Sequence, residues 1–152
     1  MGLLNIVCEK KYIFVAEINE KVMDVIELMN KDRFAAMAGC KITEADEQHA
    51  VAEMTVRTEH LNGGGVCQGG ALFTLADLAI AALVNSGGRL TFGINNSIIF
   101  VSSANEGDHL RAEAVWVADH HKTPAAEATV TNQEGRVICH VTGMGYRKTV
   151  TK

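Results

Sequence analysis

The spacing of apolar residues changes period twice along this chain. Over residues 24–37, Val25, Ile26, Met29, Phe34 and Met37 fall at near-helical intervals with charges between them. That spacing predicts a short amphipathic helix, ended by Gly39. From Ala50 the period drops to two. Ala50, Ala52, Met54 and Val56 alternate with Val51, Glu53, Thr55 and Arg57, as in a strand with one core face. A glycine-rich loop follows, Asn62-Gly-Gly-Gly-Val-Cys-Gln-Gly-Gly. Ala71 to Asn85 is then rich in Ala and Leu, lacks proline and carries one charge, Asp77. A helix apolar on nearly all sides is predicted to be buried, and Ser86-Gly-Gly closes it.

The remainder reads as strands. Residues 90–101 contain Ile94, Ile98, Ile99, Phe100 and Val101, and Asn105-Glu-Gly-Asp follows as a turn. Leu110, Ala112, Ala114 and Trp116 alternate with polar or outward positions. Ala126, Ala128 and Val130 do the same, and so do Val137, Cys139 and Val141. Asn132-Gln-Glu-Gly is a hairpin turn ending in glycine. The order is therefore helix, strand, long buried helix, then four strands joined mostly by short turns. Too few helices are present for parallel crossovers, so the expected fold is α+β with an antiparallel sheet wrapped around a long central helix. The helix's remaining face calls for a second subunit. Residues 1–22 read as an N-terminal extension or arm before a domain spanning 23–152.

Composition narrows the function. Apolar residues make up 47 % of the chain and charged residues 21 %, with a formal net charge of −4. These are values for a globular protein, and the lack of a basic surplus argues against nucleic acid as a partner. The apolar stretches carry charges or are too short for a bilayer, so no membrane partner is expected. Cys8, Cys40, Cys67 and Cys139 form no C-x-x-C pair. They read as reduced thiols in a cytoplasmic protein.

Asp77 is the leading chemical candidate. A carboxylate in an apolar helix costs free energy unless paired, and its neighbours on the same face, Phe73, Thr74, Ile80 and Ala81, cannot neutralise it. Asp77 therefore either bonds a nearby amide structurally or lines a site as base or nucleophile. Gly69 and Gly70 begin the same helix, where unpaired N–H groups and a positive dipole end suit a developing oxyanion. Gly69 and Asp77 are separated by about 12 Å along the helix axis, too far to share one carbonyl. If both serve one centre, they come from different subunits, and the protein is a dimer with two sites across its interface.

These residues resemble the hotdog-fold acyl-CoA thioesterases, in particular the phenylacetate-pathway (PaaI-type) branch. That pattern runs Asn-x-x-Gly-x-x-His-Gly-Gly, then Phe-x-Leu-Ala-Asp, then a small-residue helix ending Asn-Ser. Here it stands as Asn62 to Gly70, Phe73-Thr-Leu75-Ala76-Asp77 and Asn85-Ser86. Gly107-Asp108-x-Leu110-x-Ala112 and the Val130 to Gly135 hairpin fit the same family. The resemblance implies hydrolysis of a small acyl-CoA to free acid and CoA, in a homodimer that assembles as a dimer of dimers. It gives Asp77 the role of general base or nucleophile and has the Gly69 N–H polarise the carbonyl. Asn62 orients the water or the carbonyl. Gln68 stands where the branch has histidine; it donates a hydrogen bond but carries no proton. Gly70, Phe73, Asn95 and Asn96 become substrate contacts, and Lys122 and Arg147 candidate phosphate contacts. No metal and no cofactor are expected, CoA being part of the substrate. Gln68 also keeps a non-catalytic acyl-CoA-binding module in view. A hotdog dehydratase would need a loop histidine, and the only one near is His60. The adjacent His120 and His121 point to opposite faces and make a poor metal site.

Overall fold

The computed structural model describes residues 24–148; the arm over 1–22 and Cys8 lie outside the described residues. The first helical stretch is two helices rather than one. Helix α1 (Val25–Met29) is capped by the Asp24 carboxylate, which accepts from the Ile26 N–H. Helix α2 (Arg33–Met37) is capped by Asp32, which accepts from the Ala35 N–H at 2.9 Å. Between them Asn30 leaves the helix, its amide bonding both the N–H (2.8 Å) and the carbonyl (3.1 Å) of Ile42. That clamp docks the junction on strand β1 (Lys41–Ala45), an element that the period-two reading passed over. Phe34 and Met37 do not join the core: they are 62 % and 68 % exposed.

Strand β2 (His49–Thr55), helix α3 (Gly69–Asn85) and strands β3 (Thr91–Phe100), β4 (His109–Ala118), β5 (Ala125–Thr131) and β6 (Val137–Arg147) complete the chain. All six strands form one antiparallel sheet in the order β1-β2-β4-β5-β6-β3. This is the α+β hotdog arrangement, with α3 packed against every strand. The register explains how a helix fits there. Ala52 pairs with Ala112 and Ala112 with Val130; Ala50 pairs with Ala114 and Ala114 with Ala128. These inward alanines are fully buried. Their small side chains let the backbone of α3 approach closely, while Leu75 and Leu83 fill the space beyond. The segment Gly69–Gly88 is 20 residues long with a mean hydropathy of 1.5. It is long and apolar enough to cross a bilayer, against the expectation from sequence, but the sheet wraps it as the core of the fold.

Strand β3 ends the sheet. It pairs with β6 on one side and with nothing described on the other. An open edge ten residues long carrying Ile94, Ile99 and Phe100 exposed is a template for pairing with another chain.

Candidate active site

The glycine-rich loop is folded by Asn62. Its side-chain oxygen accepts from the Gly64 N–H (2.8 Å) and the Val66 N–H (3.4 Å), and its own N–H reaches the Val66 carbonyl at 2.8 Å. Gly65 supplies the left-handed conformation that closes the turn, at φ +76°. With the oxygen engaged, Asn62 presents its Nδ2 as a donor. The loop is anchored at its far end by the Gln68 N–H, which donates to the His60 carbonyl at 2.7 Å.

Gln68 is the N-cap of α3, its Oε1 accepting from the Gly70 N–H at 2.5 Å. Gly69 is the first residue of the helix, so its N–H has no carbonyl within the helix to meet. Gly69 and Asn62 line one cleft of about 380 Å³ together with Val66, Phe100, Ser102 and Ser103. A side chain on Gly69 would strike the Phe100 ring, 2.7 Å from the added carbon. Cys67 also borders this cleft, but burial pushes its thiol up to about 11, so it stays protonated and inert. Burial likewise pushes Cys40 and Cys139 up to about 12.

Asp77 opens into a different cleft, of about 420 Å³, walled by Phe73, Ile80, Ala81 and Val84 of α3 and by Thr91 and Asn96 of β3. Desolvation raises the pKa of its carboxyl above the ordinary aspartate value. The Asn96 amide opposes this by donating to Oδ1 at 2.6 Å, and the charge of Asp32 adds to the rise. The pair forms because β3 carries a bulge between Gly93 and Asn95, which turns Asn96 rather than Asn95 toward the helix. Asn95 is exposed beside its ladder partner Met144, and both line this same cleft.

The remaining candidates divide. Gln68, Gly70, Phe73 and Thr74 line a third, mostly apolar cleft of about 660 Å³ with Phe34, Met37 and His60. Phe73 is the wall it shares with the Asp77 cleft. Lys122 and Arg147 are neighbours at one end of the sheet, where the Arg147 N–H donates to the Lys122 carbonyl at 2.8 Å. Arg147 is 8 % exposed, and its guanidinium pairs with Asp119 at 2.5 Å, donates to the His120 carbonyl at 2.9 Å and lies 5.5 Å from the centre of the Trp116 ring. Its charge is thus engaged inside the protein and not brought to any of the three clefts. Arg147 and Arg89 hold the Asp119 carboxyl below its ordinary value. Among the described residues no three His, Cys, Asp or Glu side chains gather to hold an ion. The sequence reading missed Phe34, Met37, Phe100, Ser102, Ser103 and His60 as cleft residues. The exposed apolar positions of α2 and of the end of β3 were the available signal.

Residues 64–139, which run from within the loop through α3, β3, β4 and β5 to the start of β6, match the model of the family described as the thioesterase superfamily. This chain is a hotdog-fold thioesterase of the PaaI type. As a member of that family it is a thioester hydrolase. A protein of Archaeoglobus fulgidus described as a putative esterase is 38 % identical to the thioesterase over 128 residues, 84 % of this chain and 82 % of the relative. The acyl-coenzyme A thioesterase PaaI of Escherichia coli K12 is 32 % identical over 79 % of this chain and 86 % of its own length. The solved structure of the E. coli PaaI protein superposes with a TM-score of 0.79 at 31 % identity, covering 83 % of the thioesterase and 91 % of that chain. A hypothetical thioesterase protein of Streptococcus pneumoniae, solved with coenzyme A, superposes with a TM-score of 0.74 at 27 % identity, covering 81 % and 96 %.

Proposed function

We propose that the thioesterase hydrolyses a small acyl-CoA to the free acid and CoA, at two sites each built from two subunits. One observation carries this reading: a desolvated carboxylate, Asp77, and a free helix-start N–H, Gly69, stand on the same helix but open into different clefts. Two such helices side by side and antiparallel bring the Asp77 cleft of one subunit against the Asn62 and Gly69 cleft of the other. The open edge of β3 supports the same pairing, because two β3 strands joined edge to edge extend the sheet through both subunits. Exposed Phe92, Val115, Met144 and Tyr146 offer a second surface for assembly as a dimer of dimers.

In this site the thioester carbonyl oxygen lies against the Gly69 N–H and the Asn62 Nδ2. The Asp77 carboxylate takes a proton from water as the water oxygen bonds to the carbonyl carbon, and the donors receive the negative charge. The C–S bond then breaks, the sulfur leaves with the electron pair, and the proton returns to it or to solvent. In the alternative route an Asp77 oxygen attacks the carbon itself, expels the CoA thiolate and forms an anhydride that water cleaves. Both routes require Asp77 ionised, and neither calls on a metal or another cofactor. Gln68 is no base here: its oxygen caps the helix. Gly70, Phe73, Asn95 and Asn96 border the substrate, and Lys122 is the remaining candidate for a phosphate of CoA. The buried, protonated thiols suit the reducing cytoplasm, where we place the enzyme.

Thiol release from a panel of short, long and aromatic acyl-CoAs tests the reading. Turnover of at least one member, abolished by Asp77→Asn, supports hydrolysis. Tight binding of acyl-CoA with no turnover would instead make the protein a binding module.

A further inference from the structure

We infer that Gly143, on the strand next to β3, is a positioning residue: its lack of a side chain seats the Asn96 amide on Asp77. Gly143 and Asn96 are direct partners in the β6–β3 ladder, and both face the helix. A carbon added at Gly143 would collide with the Asn96 side-chain oxygen and press on Ile80 of α3, 3.3 Å away at two atoms. The Asn96 amide therefore occupies the space that any other residue at 143 would fill. That space is what lets its nitrogen reach Asp77 Oδ1 at 2.6 Å.

Two comparisons make the seat specific. Gly145 also faces inward two residues on, but a carbon added there would meet Thr91 and the Phe92 carbonyl, with no contact to Asn96. Inside the cleft the other walls are uncharged, and Asp32 is the charged group whose field reaches Asp77. Asn96 is thus the one donor holding the Asp77 carboxylate in the described protein. Losing the seat removes the interaction that favours ionised Asp77 against desolvation.

The inference rests on the reading of Asp77 as the catalytic carboxylate, and the test separates the two. The acidic limb of kcat/KM against pH is measured for the wild type, Asn96→Ala, Gly143→Ala, Gly145→Ala and the Asn96→Ala/Gly143→Ala pair. The limb is expected to move to higher pH in Asn96→Ala and equally in Gly143→Ala, with about tenfold less activity at its foot for each pH unit of displacement. Adding Gly143→Ala to Asn96→Ala moves it no further, and Gly145→Ala leaves it in place. If Gly143→Ala alone fails to fold, the pair is expected to recover a melting transition close to that of Asn96→Ala, since the obstructing amide is gone. A limb unmoved by Gly143→Ala, or moved as far by it in the Asn96→Ala background, overturns the inference, as does a pair that stays unfolded. Full activity of Asp77→Asn would instead overturn the reading of the site.

Discussion

Gly69 and Asp77 lie on one helix with two turns between them, yet they line separate clefts in the protomer. At about 1.5 Å per residue the separation is near 12 Å. No motion short of unwinding α3 brings them to one carbonyl. If Asp77 and Gly69 serve one thioester as proposed, they come from two subunits.

Asp77→Asn is expected to lower kcat by about 10²- to 10⁴-fold, the usual range for a lost general base, with KM nearly unchanged. The same substitution is expected to stabilise the fold at neutral pH. Because desolvation raises the folded pKa of Asp77, the native state holds more protons than the unfolded chain between the ordinary value, about 3.9, and the raised one. Stability from this group is full below that window and falls as pH rises through it. Asparagine has no charge to desolvate. Thermal melts should show a higher Tm for the variant at pH 7, with the gap closing below about pH 4.

The pH profile of kcat/KM is expected to carry one ascending limb, set by Asp77 and displaced above the usual aspartate range. Gln68 adds no ionisation of its own. Gln68→His should add a second inflection between about pH 5 and 8, readable in the same steady-state assay. A wild-type profile with two inflections in that range would require a base outside the proposed site.

Much of this was legible in the sequence, and the reasons for the rest are specific. Helix α3 was clear because its apolar run, unbroken by proline, is far too long for a strand. Strand β1 escaped notice because only Ile42 of its five residues is fully buried, and a bulge after Ile42 breaks the alternation. The break between α1 and α2 depends on Asn30 bonding Ile42, a contact twelve positions away that local spacing does not report. The family resemblance put Asn95 and Asn96 near the site, and both line the Asp77 cleft. Only the bulge in β3 tells which one bonds the Asp77 carboxylate. Arg147 had the chemistry of a phosphate ligand, but Asp119 and Trp116, which engage it, are distant in the chain.

Asn62→Asp separates the two uses of the Asn62 side chain. An aspartate oxygen still accepts from the Gly64 N–H, as the asparagine oxygen does at 2.8 Å. The amide donor proposed to meet the carbonyl is replaced by a negative charge. We expect kcat to fall by about 10²- to 10³-fold or more, as for a lost oxyanion donor, while the melting temperature changes little. A comparable loss of stability would mean that Asn62 acts only through the loop.

Gly69→Ala is expected to reduce kcat because the new methyl group meets the Phe100 ring and shifts the start of α3. The clash is with the tip of a half-exposed side chain. Phe100→Ala in the same chain should therefore restore most of the lost rate. Steady-state assays of the two single variants and the pair check this; a pair no better than Gly69→Ala would place the damage elsewhere.

Mixed dimers test the shared site most directly. Asp77→Asn and Asn62→Asp chains carrying different affinity tags are co-expressed, and the heterodimer is purified by both tags. If each site takes Asp77 from one subunit and Asn62 from the other, the heterodimer has one doubly defective site and one intact site. It should then recover about half the wild-type rate, although each parent homodimer is nearly inactive. A heterodimer as inactive as its parents would place Asp77 and Asn62 of one site in the same subunit and contradict the account.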